Sequence, residues 1–220
     1  MIVKLKNKIL SILGLRKTSI LDFWEDRAKR YGKRSVLNIS HTDEEMEEVT
    51  NKQSNKLFPI LENELNGNEK IILDFGCGPG RFTLQLANLI KGHSIGVDPI
   101  QHLLDLAPKS EKVVYKKIKN GIIPMNDNSC DVIWICLVLG GIIDQKVLNS
   151  TIKEIDRISK KDALLVLVEN TSEKVDIGTW KYRNEDFYIN LFSRFNLKNK
   201  GHYFDLDEKI SIMSGRKVNT

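Results

Sequence analysis

Glycine stands at every second position of Gly76-Cys77-Gly78-Pro79-Gly80, directly after the apolar run Ile71-Ile72-Leu73, the acid Asp74 and Phe75. Glycine accepts positive φ and lets a ligand approach the backbone closely, so a loop of this kind at the end of a strand reads as a ligand seat. The next apolar run ends Ile95-Gly96-Val97-Asp98. A carboxylate there can accept hydrogen bonds from both hydroxyls of a ribose. Dinucleotide sites share this order of strand, loop, helix and acid, but they want a third glycine where this chain, counting from Gly76, has Arg81. Asp74, two residues before the first glycine, would repel a pyrophosphate and suits an amine-bearing ligand. The loop reads as a seat for a nucleoside without phosphates. A nicotinamide-dependent oxidoreductase is the disfavoured alternative.

The elements that must position these residues follow from the hydrophobic pattern. Short runs rich in Ile, Val and Leu at Lys70–Phe75, Ser94–Val97, Val113–Lys117, Asp131–Leu137 and Ala163–Glu169 read as strands. Helical periodicity lies between them, at Arg81–Lys91, Gln101–Ala107 and Val147–Ser159. Strands alternating with helices imply a parallel sheet with right-handed crossovers. After Glu169 come an irregular stretch to Asn184, a helix over Glu185–Phe195, and two β-like runs near Lys198–Phe204 and Ile210–Gly215.

The segment Ile71–Phe82 resembles the first signature motif of class I S-adenosylmethionine-dependent methyltransferases. Asp98 stands where that family has its ribose-binding acid. Ile122–Ile135, IIPMNDNSCDVIWI, resembles the next motif, and Glu154-Ile155-Asp156-Arg157-Ile158 before an apolar strand follows the family's usual run. The resemblance spans roughly Gly67–Glu169. It implies an α/β Rossmann-like three-layer fold with a mostly parallel seven-stranded sheet closed by a C-terminal antiparallel hairpin. It also implies S-adenosyl-L-methionine as cofactor: Gly76, Cys77, Gly78, Pro79 and Gly80 passing its methionine and ribose, Asp74 holding the amino end, Asp98 the ribose. Lys119 and Asn120 would flank the adenine, and Cys136, leaving the fourth strand, would line the sulfonium. Two departures stand out: Lys119 where many relatives have an acid, and Gly140-Gly141 where many have a histidine.

Methyl transfer needs a base only if the acceptor is protonated. Glu169 and His41 are the candidate catalytic residues, with His202 and Tyr182 behind them; each also reads as a structural or surface polar group. Glu169-Asn170 invites a magnesium site, but the family's first ligand is missing from Cys136-Leu137-Val138-Leu139, so no metal is expected. Elements before the first strand and after the fifth usually form the family's acceptor pocket, which makes Trp180, Arg183 and Tyr31 the substrate-binding candidates, with Trp24 beside them. Trp24 and Trp180 read equally as packing residues.

Composition narrows the rest. The chain has 220 residues, 41% of them apolar and 29% charged, which are globular values. Its net charge of +5 is matched by Lys4, Lys6, Lys8, Arg16 and Lys17, so the remaining two hundred residues are neutral. A neutral body argues against nucleic acid as partner, and so does the absence of the loop typical of adenine-amino methyltransferases. Three cysteines without a CxxC pair fit a reducing, cytoplasmic setting. Residues 1–20 read as a basic amphipathic helix that either lies on an anionic membrane or packs on its own domain. Residues 21–66 read as a helical cap and 67–220 as the S-adenosylmethionine-binding domain, in a monomer or homodimer. The acceptor expected is a small molecule, a sugar or a lipid-linked glycan, and the alternative to catalysis within the same resemblance is a non-catalytic S-adenosylmethionine-binding partner subunit. The glycan reading rests on a loose resemblance to methyltransferase domains of bacterial surface-polysaccharide pathways and on the N-terminal helix.

Overall fold

The computed structural model describes residues 19–38 and 40–218; the expected amphipathic helix of residues 1–20 lies, but for its last two residues, outside them. The strands are β1 Ile71–Phe75, β2 His93–Asp98, β3 Val113–Lys117, β4 Cys130–Cys136, β5 Ser159–Asn170, β6 Lys198–Asp205 and β7 Glu208–Arg216. The α-helices are α1 Ile20–Tyr31, α2 Glu45–Glu64, α3 Thr83–Leu89, α4 Gln101–Asp105, α5 Gln145–Ile158 and α6 Glu185–Leu191.

All seven strands join one sheet in the order β3-β2-β1-β4-β5-β7-β6. The first five are parallel, and β7 runs antiparallel between β5 and β6. This is the α/β Rossmann-like fold with a mostly parallel sheet and a C-terminal antiparallel hairpin. Alternation along the inner strands fills both faces. Leu73, Ile133, Ile135, Leu165 and Leu167 point to one side with Ile155, Tyr188 and Phe192. Ile72, Val132, Trp134, Leu164 and Val166 point to the other, with Leu57 and Leu61 of α2 and Leu86 of α3. Each fully buried aliphatic side chain contributes about 1.5–3 kcal/mol. Within the stretch 21–66, then, α2 is a core helix of the sheet, while α1 packs Trp24 and Ala28 near Ile100 and Leu103.

Chain direction decides where a ligand sits. The sheet is built outward from β1 in one direction and from β4 in the other, and such a reversal opens a crevice at the carboxyl ends of β1 and β4. Because β7 is antiparallel to both its neighbours, β6 points the same way as β4. Its turn, Asp205-Leu206-Asp207-Glu208, therefore returns to that same edge. Leu206 and Asp207 sit at φ of 46° and 65°, the left-handed pair that a tight hairpin demands.

Boundaries moved where polar residues hid the pattern. β5 starts at Ser159, four residues before its apolar run, since Ser159 pairs with Cys130 across a bulge. The last helix ends at Leu191 and gives way to a 3-10 turn at Ser193–Phe195. Ser19 opens α1 with a reciprocal box: its hydroxyl accepts from the Asp22 amide at 3.1 Å, and the Asp22 carboxylate accepts from the Ser19 amide at 3.2 Å.

Candidate active site

A cavity of about 800 Å³ occupies the crevice. Its inner end is built by strand ends and tight turns. β1 hands the chain to the glycine loop, where Gly76, Gly78 and Gly80 take φ of 70°, 52° and 75°, and the Gly76 and Cys77 amides bond back to the Val97 carbonyl. Loop and β2 are thereby fixed to each other, and Asp98 completes the joint. Its Oδ2 accepts from the Gly78 amide at 3.0 Å and its Oδ1 from the Ile100 amide at 2.7 Å. Burial pushes Asp98 up to about 6. Asp74 is buried too, accepts from the Thr83 hydroxyl at 2.6 Å, and is pushed up to about 7 by desolvation.

These two carboxylates fit the implied cofactor. Each oxygen of an ionised carboxylate has more than one acceptor site, so Asp98 can take ribose hydroxyls while keeping its two amides. A cationic amine beside Asp74 would restore the ionisation that burial opposes. Asp74, Gly76, Cys77, Asp98, Asn120 and Cys136 all line the cavity. Gly78, Pro79 and Gly80 are not among its lining residues. Val36, from the 3-10 turn after α1, covers Gly78, and the Tyr115 hydroxyl packs on Gly80. Lys119 lines a smaller adjoining hollow with Pro99, Ile118 and Asn120.

The outer end is assembled from distant segments. Trp24 and Trp180 line it, and both rest on the glycine pair after β4. A Cβ at Gly140 would overlap the Trp180 ring, and one at Gly141 would come within 3.2 Å of Trp24. The missing histidine at this position is thus a seat for two aromatic walls. Asn170, Tyr182, Asp205 and Glu208 add polar groups to the lining of the cavity. Glu208 accepts from Asn170 and Lys174, each at 2.7 Å, and from the Tyr182 hydroxyl at 3.3 Å.

Other sequence candidates stand elsewhere. Arg183 is turned inward: its guanidinium donates to the Leu139 carbonyl at 2.7 Å and the Ile142 carbonyl at 2.9 Å and packs over Phe187. It fastens the loop after β4 rather than lining the cavity. Tyr31 lies at the end of α1 under the Arg34 guanidinium, 5.0 Å from its ring centre, and does not line the cavity. Glu169 is fully buried, and its carboxylate accepts from the amides of Val138, Leu139 and Gly140. Burial pushes it up to about 7, and its place is in the wall, holding the loop. A metal at Glu169-Asn170 would have to compete with those amides. Among the described residues no cluster of three or more His, Cys, Asp or Glu is placed to hold a metal ion. His41 does not line the cavity, but its Nε2 lies 3.0 Å from Asp205, which does. His202 is exposed on β6.

Sequence reasoning missed Asp205 and Glu208, whose only signal was the acidic turn between two β-like runs. It used Arg81 solely to exclude a dinucleotide. Arg81 lines the cavity beside Asp74 and Cys136.

Residues 73–167 match the model of the family described as "Methyltransferase domain". No curated protein matches the sequence. Among solved structures, the fold is similar to that of magnesium protoporphyrin IX methyltransferase from Synechocystis, crystallised with S-adenosylhomocysteine. That match has 13% identity and a TM-score of 0.64, over 88% of this chain and 94% of the other. It is also similar to phosphoethanolamine N-methyltransferase 1 of Haemonchus contortus, at 17% identity and a TM-score of 0.66, over 94% of this chain and half of the longer relative. A third likeness is to a S-adenosylmethionine-dependent methyltransferase of Methanosarcina mazei, at 20% identity and a TM-score of 0.59, over 73% of this chain and 97% of that one. With the matched domain, the fold and the paired carboxylates at its carboxyl edge, the chain is a methyltransferase whose cofactor is S-adenosylmethionine.

Proposed function

We propose that this methyltransferase acts on a small acceptor, a small molecule, a sugar or the sugar head of a lipid-linked glycan, held in the outer end of the cavity. The observation that carries the reading is that Trp24 and Trp180, resting on Gly140-Gly141, line one cavity with Asn170, Tyr182, Asp205 and Glu208. Flat aromatic surfaces and polar groups in one cavity suit a ring that carries hydroxyls. Two of the similar structures are named for small acceptors, phosphoethanolamine and magnesium protoporphyrin.

The cofactor supplies an electrophilic methyl group on a sulfonium, so the chain's own work is alignment and exclusion of water. Asp74 and Asp98 hold the two ends of the nucleoside amino acid, and Cys136 and Leu137 flank the reacting centre. An acceptor hydroxyl must lose its proton to oxygen or nitrogen nearby. Glu208 already serves Asn170, Lys174 and Tyr182, whereas Asp205 is met by His41 alone among the described residues, so Asp205 is the carboxylate with room for an acceptor hydroxyl.

Residues 1–18, outside the described part, carry all five excess charges and would hold the enzyme at the cytoplasmic face of anionic membranes. At roughly 1 kcal/mol per basic residue near the surface, adsorption would be reversible and sensitive to salt. Among the described residues no helix is long and apolar enough to cross a membrane.

The test is methyl-labelled cofactor incubated with cell extract fractionated into small molecules, lipid-linked sugars, protein and nucleic acid. Label entering either of the first two fractions supports the reading, and label confined to protein or nucleic acid refutes it. A chain lacking residues 1–18 is expected to keep turnover on soluble acceptors and lose sedimentation with anionic vesicles.

A further inference from the structure

Arg81 is the cavity residue that the cofactor motif does not account for. It follows the last loop glycine and lies half-buried over the Phe82 ring, 4.6 Å from its centre. Its Nη1 donates to Thr50 Oγ1 at 3.2 Å and Gln53 Oε1 at 3.0 Å, both on α2. Among the described residues those are its hydrogen bonds, and it forms no ion pair. Asp74 and Asp205 are near enough to favour its charge, but Asp74 is engaged by Thr83 and Asp205 by His41. Burial alone would pull the guanidinium below its ordinary value. A guanidinium presents five donors in a planar fork, and α2 uses only one nitrogen of it. A desolvated cation kept beside a cavity without a carboxylate partner is costly unless a ligand completes it.

We propose that Arg81 is an oxyanion receptor of this cavity, binding a ligand carboxylate or phosphate through the edge of its guanidinium that α2 leaves unbonded. Two sources carry such a group: the amino-acid end of the cofactor, and an anionic acceptor. The first matches the local charge pattern, since Asp74 and Arg81 line the same cavity as an acid and a base suited to a zwitterion's ammonium and carboxylate. The inference rests on the cofactor assignment but not on the acceptor class. Thr50 and Gln53 orient the guanidinium and so tie α2 to the ligand.

The experiment measures three affinities by calorimetry for the parent, Arg81→Ala and Arg81→Lys proteins. The probes are S-adenosylmethionine, decarboxylated S-adenosylmethionine, and inorganic phosphate added to protein loaded with S-adenosylhomocysteine. If the cofactor carboxylate is the anion, Arg81→Ala weakens S-adenosylmethionine by about ten- to a hundredfold, the range of a charged hydrogen-bonded pair, and leaves the decarboxylated ligand unchanged. Arg81→Lys loses less, because it keeps charge but not the fork. If the anion belongs to the acceptor, both nucleosides bind alike to all three proteins and phosphate binding disappears in Arg81→Ala. All three probes binding Arg81→Ala within twofold of the parent would overturn the proposal; should that variant not fold, the same result with Arg81→Gln, which keeps a long polar side chain but no charge, does so. Failure of the parent to bind either nucleoside would instead strike at the cofactor assignment, and phosphate added to the ligand-free parent and Arg81→Ala proteins would then decide the proposal alone.

Discussion

The inner and outer ends of one cavity are built by different rules. The inner end comes from three strand ends within about 65 residues of sequence, Asp74, Asp98 and Cys136, joined by backbone bonds such as those from Gly76 and Cys77 to Val97. The outer end joins Trp24 before the sheet, Gly141 after β4 and Trp180 after β5. On the proposed assignment, cofactor geometry is carried by the parallel core and acceptor geometry by appendages to it.

The largest expected effect tests the inner end. Asp98→Ala removes ribose partners and the tie to the Gly78 and Ile100 amides, and should weaken S-adenosylhomocysteine by about 1.5–3 kcal/mol. Calorimetry showing parent-like affinity would break the assignment of that end. At the outer end, Gly140→Ala drives a methyl into the Trp180 ring and should cost about 1–3 kcal/mol of stability. Its acceptor efficiency should fall while cofactor affinity holds within about twofold, and pairing it with Trp180→Phe should recover part of both losses. A parallel loss of cofactor affinity would show that the two ends are one unit.

pH sharpens the contrast, because the two buried carboxyls proposed to hold the cofactor sit at one end. Asp98 at about 6 and Asp74 at about 7 must be ionised to bind hydroxyls and an ammonium, so affinity should fall on acidification. Below about pH 6 the loss approaches roughly 1.4 kcal/mol per unit for each proton coupled. Folding stability runs the other way. Both values lie above those of the unfolded chain, so their contribution is complete below about pH 4 and is lost as pH rises through 6 to 7. Thermal unfolding of ligand-free protein should follow that decline, and Asp74→Asn should flatten it. An unfolding temperature that rises between pH 5 and 7 in both proteins would contradict the argument.

The smallest effect concerns a contact behind one of the lining carboxylates. His41→Ala removes the 3.0 Å contact to Asp205 on the hairpin turn and should cost under about 1 kcal/mol of stability. A shift in acceptor turnover without a shift in unfolding temperature would mean that His41 acts through Asp205 on the reaction.

Legibility followed the same division. The inner end was readable because its signals are local: a strand, alternating glycines and the next strand's terminal acid lie within 28 residues, from Ile71 to Asp98. Six of the strands were readable because their inner stretches are apolar on one or both faces, whereas β6 carries only Tyr203 and Phe204 as apolar residues. Arg183 misled because an arginine after β5 looks like an anion grip, and only coordinates reveal the Leu139 and Ile142 carbonyls waiting for it. Gly140-Gly141 looked like a loss and proved to be a space for Trp24 and Trp180, a relation between residues forty and more than a hundred positions apart. Asp205 and Glu208 enter the site only because β7 is inserted antiparallel, a fact of topology that no local pattern carries.

The placement of the three tryptophans also has an optical consequence. Trp24 and Trp180 border the cavity, whereas Trp134 is sealed between Phe58 and Phe82 with no exposure. Two of the three emitters will therefore change intensity or colour when the cavity fills, while the third responds only when the core opens. Fluorescence of the unlabelled protein separates occupancy from unfolding, and replacing Trp24 or Trp180 singly assigns the signal to one wall or the other.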